Sequence, residues 1–472
     1  MNVIHLSAEC YPVAKVGGLG DVVGALPKYQ QAAGVTAMVV MPYYDRKFAQ
    51  ENNFDIIFES RITMGTFTGP FQVLRESTDK LGFPLHLIRI PELLDRPEIY
   101  SYPDETEQFV AFQLAFLEWL LNFGDLPDVI HSHDHHAGLI PFLLYHSPRY
   151  KTLAKIRTVL TIHNAQYQGW IGWEKLNLLP DFEIWESNLL EWGDCINPLA
   201  SAVKCCWKYT TVSPSYLEEL SVNSNGLETL FIAERSKGVG IINGIDSDVW
   251  NPETDPMISA NYSAKNASAG KLENKKLVCK EFFLNENKPL VAFIGRLVGE
   301  KGADLLPEAI TKILIKHKGE VSILVLGSGE PEIEEALASL TSTFKEDYNV
   351  FIGYHEGLSH RIYAGADFLI MPSRVEPCGL NQLYSLRYGT IPVVRSTGGL
   401  KDTVIDVSEE NGYGIRFEDA DADSIADAVD RCIEIYKNTS QMELLHIRMM
   451  SLNYSWHQSA THYINLYKSL TL

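Results

Sequence analysis

Short apolar runs alternate with amphipathic stretches in two separate series along this chain, and that alternation most restricts the folds open to it. Parallel strands joined by crossover helices produce the pattern, because a strand buried on both faces reads as a continuous apolar run. In the first series the spacing predicts strands at Val3 to Leu6, Ala37 to Met41, Val129 to His131 and Thr158 to Ile162. Ile56 to Ile62, Gln72 to Arg75 and Leu85 to Ile90 read as hairpin strands, and Glu105 to Leu121 as a helix with an apolar stripe. The second series runs Leu290 to Ile294, Ile323 to Leu326, Val350 to Ile352, Phe368 to Met371 and Ile391 to Val394. The fold class expected is therefore α/β, in four parts. Residues 1–245 and 289–454 form two domains of strands joined by crossover helices. Residues 246–288 connect them, with Asn251 to Glu273 polar and rich in Asn, Ser and Pro, and residues 455–472 form a terminal helix packing back on the first domain.

The 472 residues, 46% of them apolar, are enough to bury more than one core. Sixty acidic against 40 basic residues give a net charge of -20, which repels nucleic acid and anionic membrane, so an anionic ligand needs local cations. Seven irregularly spaced cysteines without a C-x-x-C pair indicate neither a disulfide framework nor a thiolate zinc site. No segment approaches the roughly 18 uninterrupted apolar residues of a membrane span, and the N-terminus lacks a basic leader. A cytoplasmic location is expected.

The chemistry-bearing residues fall where the strands predict C-terminal loops, the ligand-binding edge of open α/β sheets. Lys15 to Asp21 follows the first strand, and Gly17-Gly18-Leu19 has a counterpart in Gly398-Gly399-Leu400 after Thr397. Glycine there would let a phosphate approach backbone amides at a helix start, although two tight turns would read the same way. Gly295-Arg296-Leu297 with Lys301-Gly302 places two cations five residues apart, suited to a diphosphate or to a surface salt bridge. The run His131-Ser132-His133-Asp134-His135-His136 suggests a metal site or a hydroxyl-binding loop; no second ligand set completes a coordination sphere, which weighs against the metal. Thr161-Ile162-His163-Asn164 precedes Tyr167, Gln168, Gly169 and Trp170, an interleaving suited to sugars, with core packing of Trp170 and Trp173 as the competing reading. Glu376-Pro377-Cys378-Gly379-Leu380 opens another helix, where Glu376 either binds hydroxyls or caps the helix.

Taken in order, Lys15 to Asp21, His163-Asn164, Asn243-Gly244-Ile245-Asp246, Gly295-Arg296-Leu297 with Lys301-Gly302, Gly353-Tyr354-His355, Pro372-Ser373-Arg374, Glu376 to Leu380 and Thr397 to Leu400 resemble the motif set of bacterial glycogen synthases and plant starch synthases. The resemblance covers essentially the whole chain. It implies a two-domain glycosyltransferase of the GT-B type, with twin Rossmann-like domains, an interdomain cleft, ADP-glucose as donor and a growing α-1,4-glucan as acceptor. It further implies retention at the anomeric carbon, no metal and no pyridoxal phosphate.

By that resemblance, donor binding falls to Lys15, Gly17, Gly18, Asp21, Asn243, Arg296, Lys301, Tyr354, Cys378, Gly379, Leu380, Tyr384, Thr397, Gly398 and Gly399. Glu376 would hold glucose hydroxyls, Asp134 would lie close to the same sugar, and the His163 carbonyl would face the anomeric carbon. Lys15, Arg296, Lys301 and the Gly398-Gly399 amides would take the charge developing on ADP. Tyr100, Asn164 and Tyr167 are further sugar-side candidates. Related UDP-glucose transferases carry glutamate eight positions after the first; Tyr384 stands there and favours ADP-glucose. A UDP-glucose-dependent enzyme, a phosphorylase with lysine-bound pyridoxal phosphate and an inactive glucan-binding relative are the alternatives.

Overall fold

A computed structural model describes residues 1–470. The chain divides into two compact units, residues 1–243 with 456–472 and residues 244–455. In the first unit the strands are β1 (Asn2–Leu6), β2 (Thr36–Pro42), β3 (Phe54–Met64), β4 (Phe67–Glu76), β5 (Leu85–Arg89), β6 (Val129–His133), β7 (Arg157–Ile162), β8 (Lys208–Thr211) and β9 (Gly238–Gly240). They form one sheet in the order β3-β4-β5-β2-β1-β6-β7-β8-β9. It is parallel from β5 through β9, while β3 and β4 add an antiparallel hairpin at one edge. β5, expected with the hairpin, also pairs parallel to β2. The centre, β1 and β6, is almost wholly buried, and it buries the polar His5, His131, Ser132 and His133 along with its apolar residues.

The second unit holds β10 (Leu290–Ile294), β11 (Ser322–Gly327), β12 (Tyr348–Ile352), β13 (Phe368–Met371), β14 (Ile391–Arg395) and β15 (Ile415–Phe417). Its all-parallel sheet has the order β12-β11-β10-β13-β14-β15. The chain reverses direction across the sheet on either side of β10, the switch point at which open α/β sheets leave a crevice. Apolar clusters cover both faces: Val291, Phe293, Val325 and Ile370 belong to one, Leu290, Ala292, Leu324 and Leu369 to the other.

One segment differs from the sequence reading. The polar stretch read as a loop through Glu273 turns helical at Ala267, and the helix Ala267–Glu281 lies in the second unit. Its buried face sets the polar Lys271, Asn274 and Lys275 among Ala267, Gly270, Val278 and Cys279. The Lys271 ammonium donates to the carbonyls of Tyr363, Ala364 and Tyr388 and to Thr390 Oγ1, and Lys275 pairs with Asp367 at 2.6 Å. The terminal helix spans Trp456–Ser469 and packs Trp456, Tyr463 and Tyr467 into a first-unit cluster with Val3, Val22 and Leu26. Residues 471–472 of the expected helix lie outside the described residues. No helix among the described residues is long and apolar enough to cross a membrane.

Candidate active site

In the first unit, the loop after β1 is organised by a residue that sequence reasoning missed. Glu9 is buried, and its Oε2 accepts from the Val16 and Gly17 amides at 2.6 and 2.9 Å, while its Oε1 accepts from the Tyr100 hydroxyl at 2.6 Å. The Gly17 amide, expected to face phosphate, is thus taken by a protein carboxylate. The signal available was an acid three residues past the end of the first strand and eight residues before a glycine pair. A Cβ built at Gly17 or Gly18 meets nothing within 4 Å, so the protein itself does not require glycine there. Open space beside the start of the helix Gly18–Ala32 is what a phosphate needs. Lys15 Nζ lies 2.6 Å from Asp21 Oδ1, which brings two expected donor residues together.

The β6 and β7 ends carry the sugar-side candidates. Asp134 has φ of +54°, a conformation costly for a non-glycine residue and concentrated at functional sites. Its Oδ1 accepts the His163 amide at 2.7 Å. Burial pushes the Asp134 carboxyl up to about 7, opposed by amide hydrogen bonds from His163 and Asn164 and reinforced by the Glu9 charge. The His163 imidazole is lowered to about 3 by burial and is therefore neutral. Tyr100 stacks on His136 with ring centroids 5.1 Å apart, and burial and Glu9 raise its hydroxyl pKa. Asn164 Oδ1 accepts the Gln166 amide, and Tyr167 and Trp170 are largely exposed, whereas Trp173 packs against the core. Asn243 is buried, and its Oδ1 has no partner among the described residues, an orphan acceptor in a position expected to bind donor.

His5, His131 and His133 are the three side chains whose ligand atoms converge closely enough to suggest a metal among the described residues. Their ring nitrogens are committed elsewhere. They bond to one another, to His163, Gln30, Tyr467 and Thr161, so the donor set does not fit an ion.

In the second unit, Lys301 and Glu376 meet. Lys301 Nζ lies 2.8 and 2.7 Å from the two Glu376 carboxylate oxygens, and Ser373 Oγ donates to one of them at 2.9 Å. Glu376 is buried, so it is neither a solvated cap nor unpaired. Gly302, at φ +67°, lets the Lys301 loop close on the β13 loop; a Cβ there would stand 2.2 Å from the Pro372 carbonyl oxygen. Arg296 does not join this pair: it is mostly exposed, with Nη2 3.6 Å from Glu300.

The second glycine pair has a different origin from the first. A Cβ at Gly398 or Gly399 would stand 2.1 Å from the carbonyl oxygen of Glu376 or Cys378, and the Gly399 amide donates to the Glu376 and Pro377 carbonyls. Packing of the Glu376 loop demands these glycines, and the Gly399 amide expected to hold phosphate is already engaged. Thr397 is the N-cap position of the helix Gly398–Thr403. Cys378 is buried, and Gly379, at φ +75°, leads through Leu380 into the helix Asn381–Arg387. Gln382 holds that turn through the Cys378 and Gly379 carbonyls. Tyr384 stacks on Trp250 at 3.8 Å, and Tyr354 is exposed.

Comparisons with known proteins bear on this geometry. Residues 2–233 match the family model "Starch synthase catalytic domain", and residues 275–443 match "Glycosyl transferases group 1". The chain is 52% identical to the glycogen synthase of Flavobacterium johnsoniae, over 99% of this chain and 98% of that protein. It belongs to the glycogen and starch synthase family. The family's glycogen synthase from Geobacillus stearothermophilus is 36% identical over 100% of this chain and 98% of its own. The catalytic domain of starch synthase IV from Arabidopsis thaliana, solved bound to ADP and acarbose, is 33% identical with a TM-score of 0.88, over 99% of this chain and 98% of that one. A sucrose-phosphate synthase from Thermosynechococcus elongatus shares the fold at 18% identity and a TM-score of 0.63, over 100% and 99% of the two chains. The two parallel-sheet units are those of a GT-B glycosyltransferase.

Proposed function

We propose that this protein is a glycogen or starch synthase that transfers glucose from ADP-glucose to the non-reducing 4-hydroxyl of an α-1,4-glucan with retention of configuration. The observation carrying this reading is the buried Lys301–Glu376 ion pair in a chain 52% identical throughout to a glycogen synthase. Donor and acceptor enter by family, supported by a relative solved with ADP and acarbose.

Cations replace a metal in this reading. Lys15, Arg296 and Lys301 take the negative charge that grows on ADP as the glucosyl–phosphate bond breaks. Glu376, released from Lys301, holds glucose hydroxyls, and Asp134 and the His163 carbonyl flank the same sugar. With no covalent nucleophile assigned, the glucan hydroxyl attacks from the face the phosphate leaves and gives it the proton, unlike the two-carboxylate scheme of retaining hydrolases. Neither pyridoxal phosphate nor a metal has a step, and the enzyme works in the cytoplasm.

The test is release of ADP and of UDP from the two nucleotide-glucoses, with glycogen present or absent and EDTA in each. Glycogen-dependent, EDTA-resistant ADP release is expected. Equal or preferred UDP release would reassign the donor; no turnover with glucan binding retained would make the protein an inactive relative.

A further inference from the structure

A chain of hydrogen bonds runs through the core of the first unit from His163 to the terminal helix. His163 Nε2 lies 3.0 Å from His133 Nδ1, His133 Nε2 lies 3.0 Å from His5 Nδ1, and His5 Nε2 lies 2.7 Å from Gln30 Oε1. Gln30 Nε2 donates to the Tyr467 hydroxyl at 3.1 Å, and that oxygen lies 2.6 Å from His131 Nδ1. His131 Nε2 is 2.6 Å from Thr161 Oγ1, itself 2.6 Å from Thr210 Oγ1. His5, Gln30, His131, His133, Thr161 and Tyr467 are fully buried.

The direction of every bond follows from one amide. Gln30 presents its carbonyl to His5, so His5 carries its proton on Nε2. Burial lowers the pKa of each histidine, so every ring holds a single proton. His5 Nδ1 is then a bare acceptor, His133 Nε2–H donates to it, and His133 Nδ1 accepts in turn from His163 Nε2–H. On the other side, the Tyr467 hydroxyl already accepts from Gln30 and donates to His131. All bonds thus point the same way, an order in which each strengthens the next.

We propose that Gln30 and Tyr467 are positioning residues that fix the His163 tautomer, leaving its Nδ1 as a bare lone pair able to accept a hydrogen bond from a sugar hydroxyl and unable to donate one. His163 Nδ1 has no protein partner among the described residues, and the residue is only half-buried. The Gln30 amide is held in place by Tyr467. Without that hydroxyl the amide is free to rotate by half a turn, and rotation reverses each proton as far as His163. The terminal helix thereby contributes to the site through a side chain that touches no substrate.

The consequence for turnover rests on the proposed function; the tautomer does not. Full-length protein labelled with 15N-histidine is examined by long-range proton–nitrogen NMR without substrate, His163 being assigned by loss of its signal in H163A. The expected result is an Nε2-protonated His163 in the wild type and a shift toward Nδ1–H in Tyr467→Phe and Gln30→Met. With the same two variants, kcat is expected to fall by about tenfold at little-changed KM, the scale of one lost hydrogen bond. An Nδ1-protonated His163 in the wild type, or an unmoved tautomer in both variants, overturns the proposal whatever the activity. Since Tyr467→Phe keeps the ring and its packing, thermal unfolding separates a lost fold from a lost direction; and an Nδ1-protonated wild type overturns the proposal even if neither variant folds.

Discussion

Lys301 Nζ sits between the two carboxylate oxygens of Glu376, at 2.8 and 2.7 Å, and the pair is mostly buried. The side chain assigned to phosphate and the one assigned to sugar neutralise each other. Removing either strands the other as a poorly solvated charge, which costs about 3 kcal/mol or more in buried pairs. We expect Lys301→Ala and Glu376→Ala each to lower kcat by roughly 10²–10³-fold, the range for loss of one preorganised electrostatic contact. The double variant should fall well short of the product of the two. ADP release and thermal unfolding of all four proteins check this, and strict additivity would show that the pair does not act as a unit.

The two glycine pairs should behave oppositely. Gly17→Ala and Gly18→Ala place a methyl in open space, so stability is expected to change by less than about 1 kcal/mol while the donor KM rises. Gly398→Ala and Gly399→Ala drive a Cβ to 2.1 Å from a carbonyl oxygen, and the backbone must shift at a cost of about 1–3 kcal/mol or more. Chemical denaturation beside donor titration distinguishes them. A large stability loss at Gly17 would remove the argument that its space belongs to a ligand.

This contrast also shows what was legible in the sequence. The alternation of apolar runs carried the central strands of both sheets, and the loops after β1, β6, β7, β10 and β13 carry the expected site residues. The motif Gly-Gly-Leu could not reveal which copy leaves room and which packs on Glu376, because that depends on contacts distant in sequence. The helix Ala267–Glu281 was hidden because Lys271, Asn274 and Lys275 are buried yet polar, so no apolar stripe marks it. β8 and β9, four and three residues long, are too brief for a period to register. Glu9, and the partnership of His163 with Tyr467 through Gln30, join residues that only the folded chain brings together.

Asp134 gives the fold a pH dependence of known sign. Its carboxyl is held near 7 in the folded protein against an ordinary 3.8, so between those values the folded state retains a proton that the unfolded chain has lost. This contribution to stability is therefore full below pH 3.8 and is lost as pH rises through 7, on the order of 4 kcal/mol at most. Asp134→Asn removes the titration, so its stability relative to wild type should rise from pH 5 to 8. Urea midpoints across that range test it; parallel wild-type and variant curves would place the Asp134 carboxyl near its ordinary value.

Position 384 is the last point at which the geometry changes the expectation. Glutamate there would mark UDP-glucose transferases, yet in this chain the Tyr384 ring lies 3.8 Å from Trp250 at an angle of 20°, with Trp250 stacked in turn on His360. The side chain is a packing element as well as a donor-site candidate. Tyr384→Glu removes an aromatic face from that stack and places a carboxylate against it, so a loss of about 2–4 kcal/mol is expected, with no gain of UDP-glucose use. Tyr384→Phe keeps the stack and should hold stability to within about 1 kcal/mol and preserve the preference for ADP-glucose. Measuring the ADP to UDP release ratio together with thermal unfolding separates the two roles. A stable Tyr384→Glu protein that turned over UDP-glucose would show that position 384 selects the donor independently of its packing on Trp250.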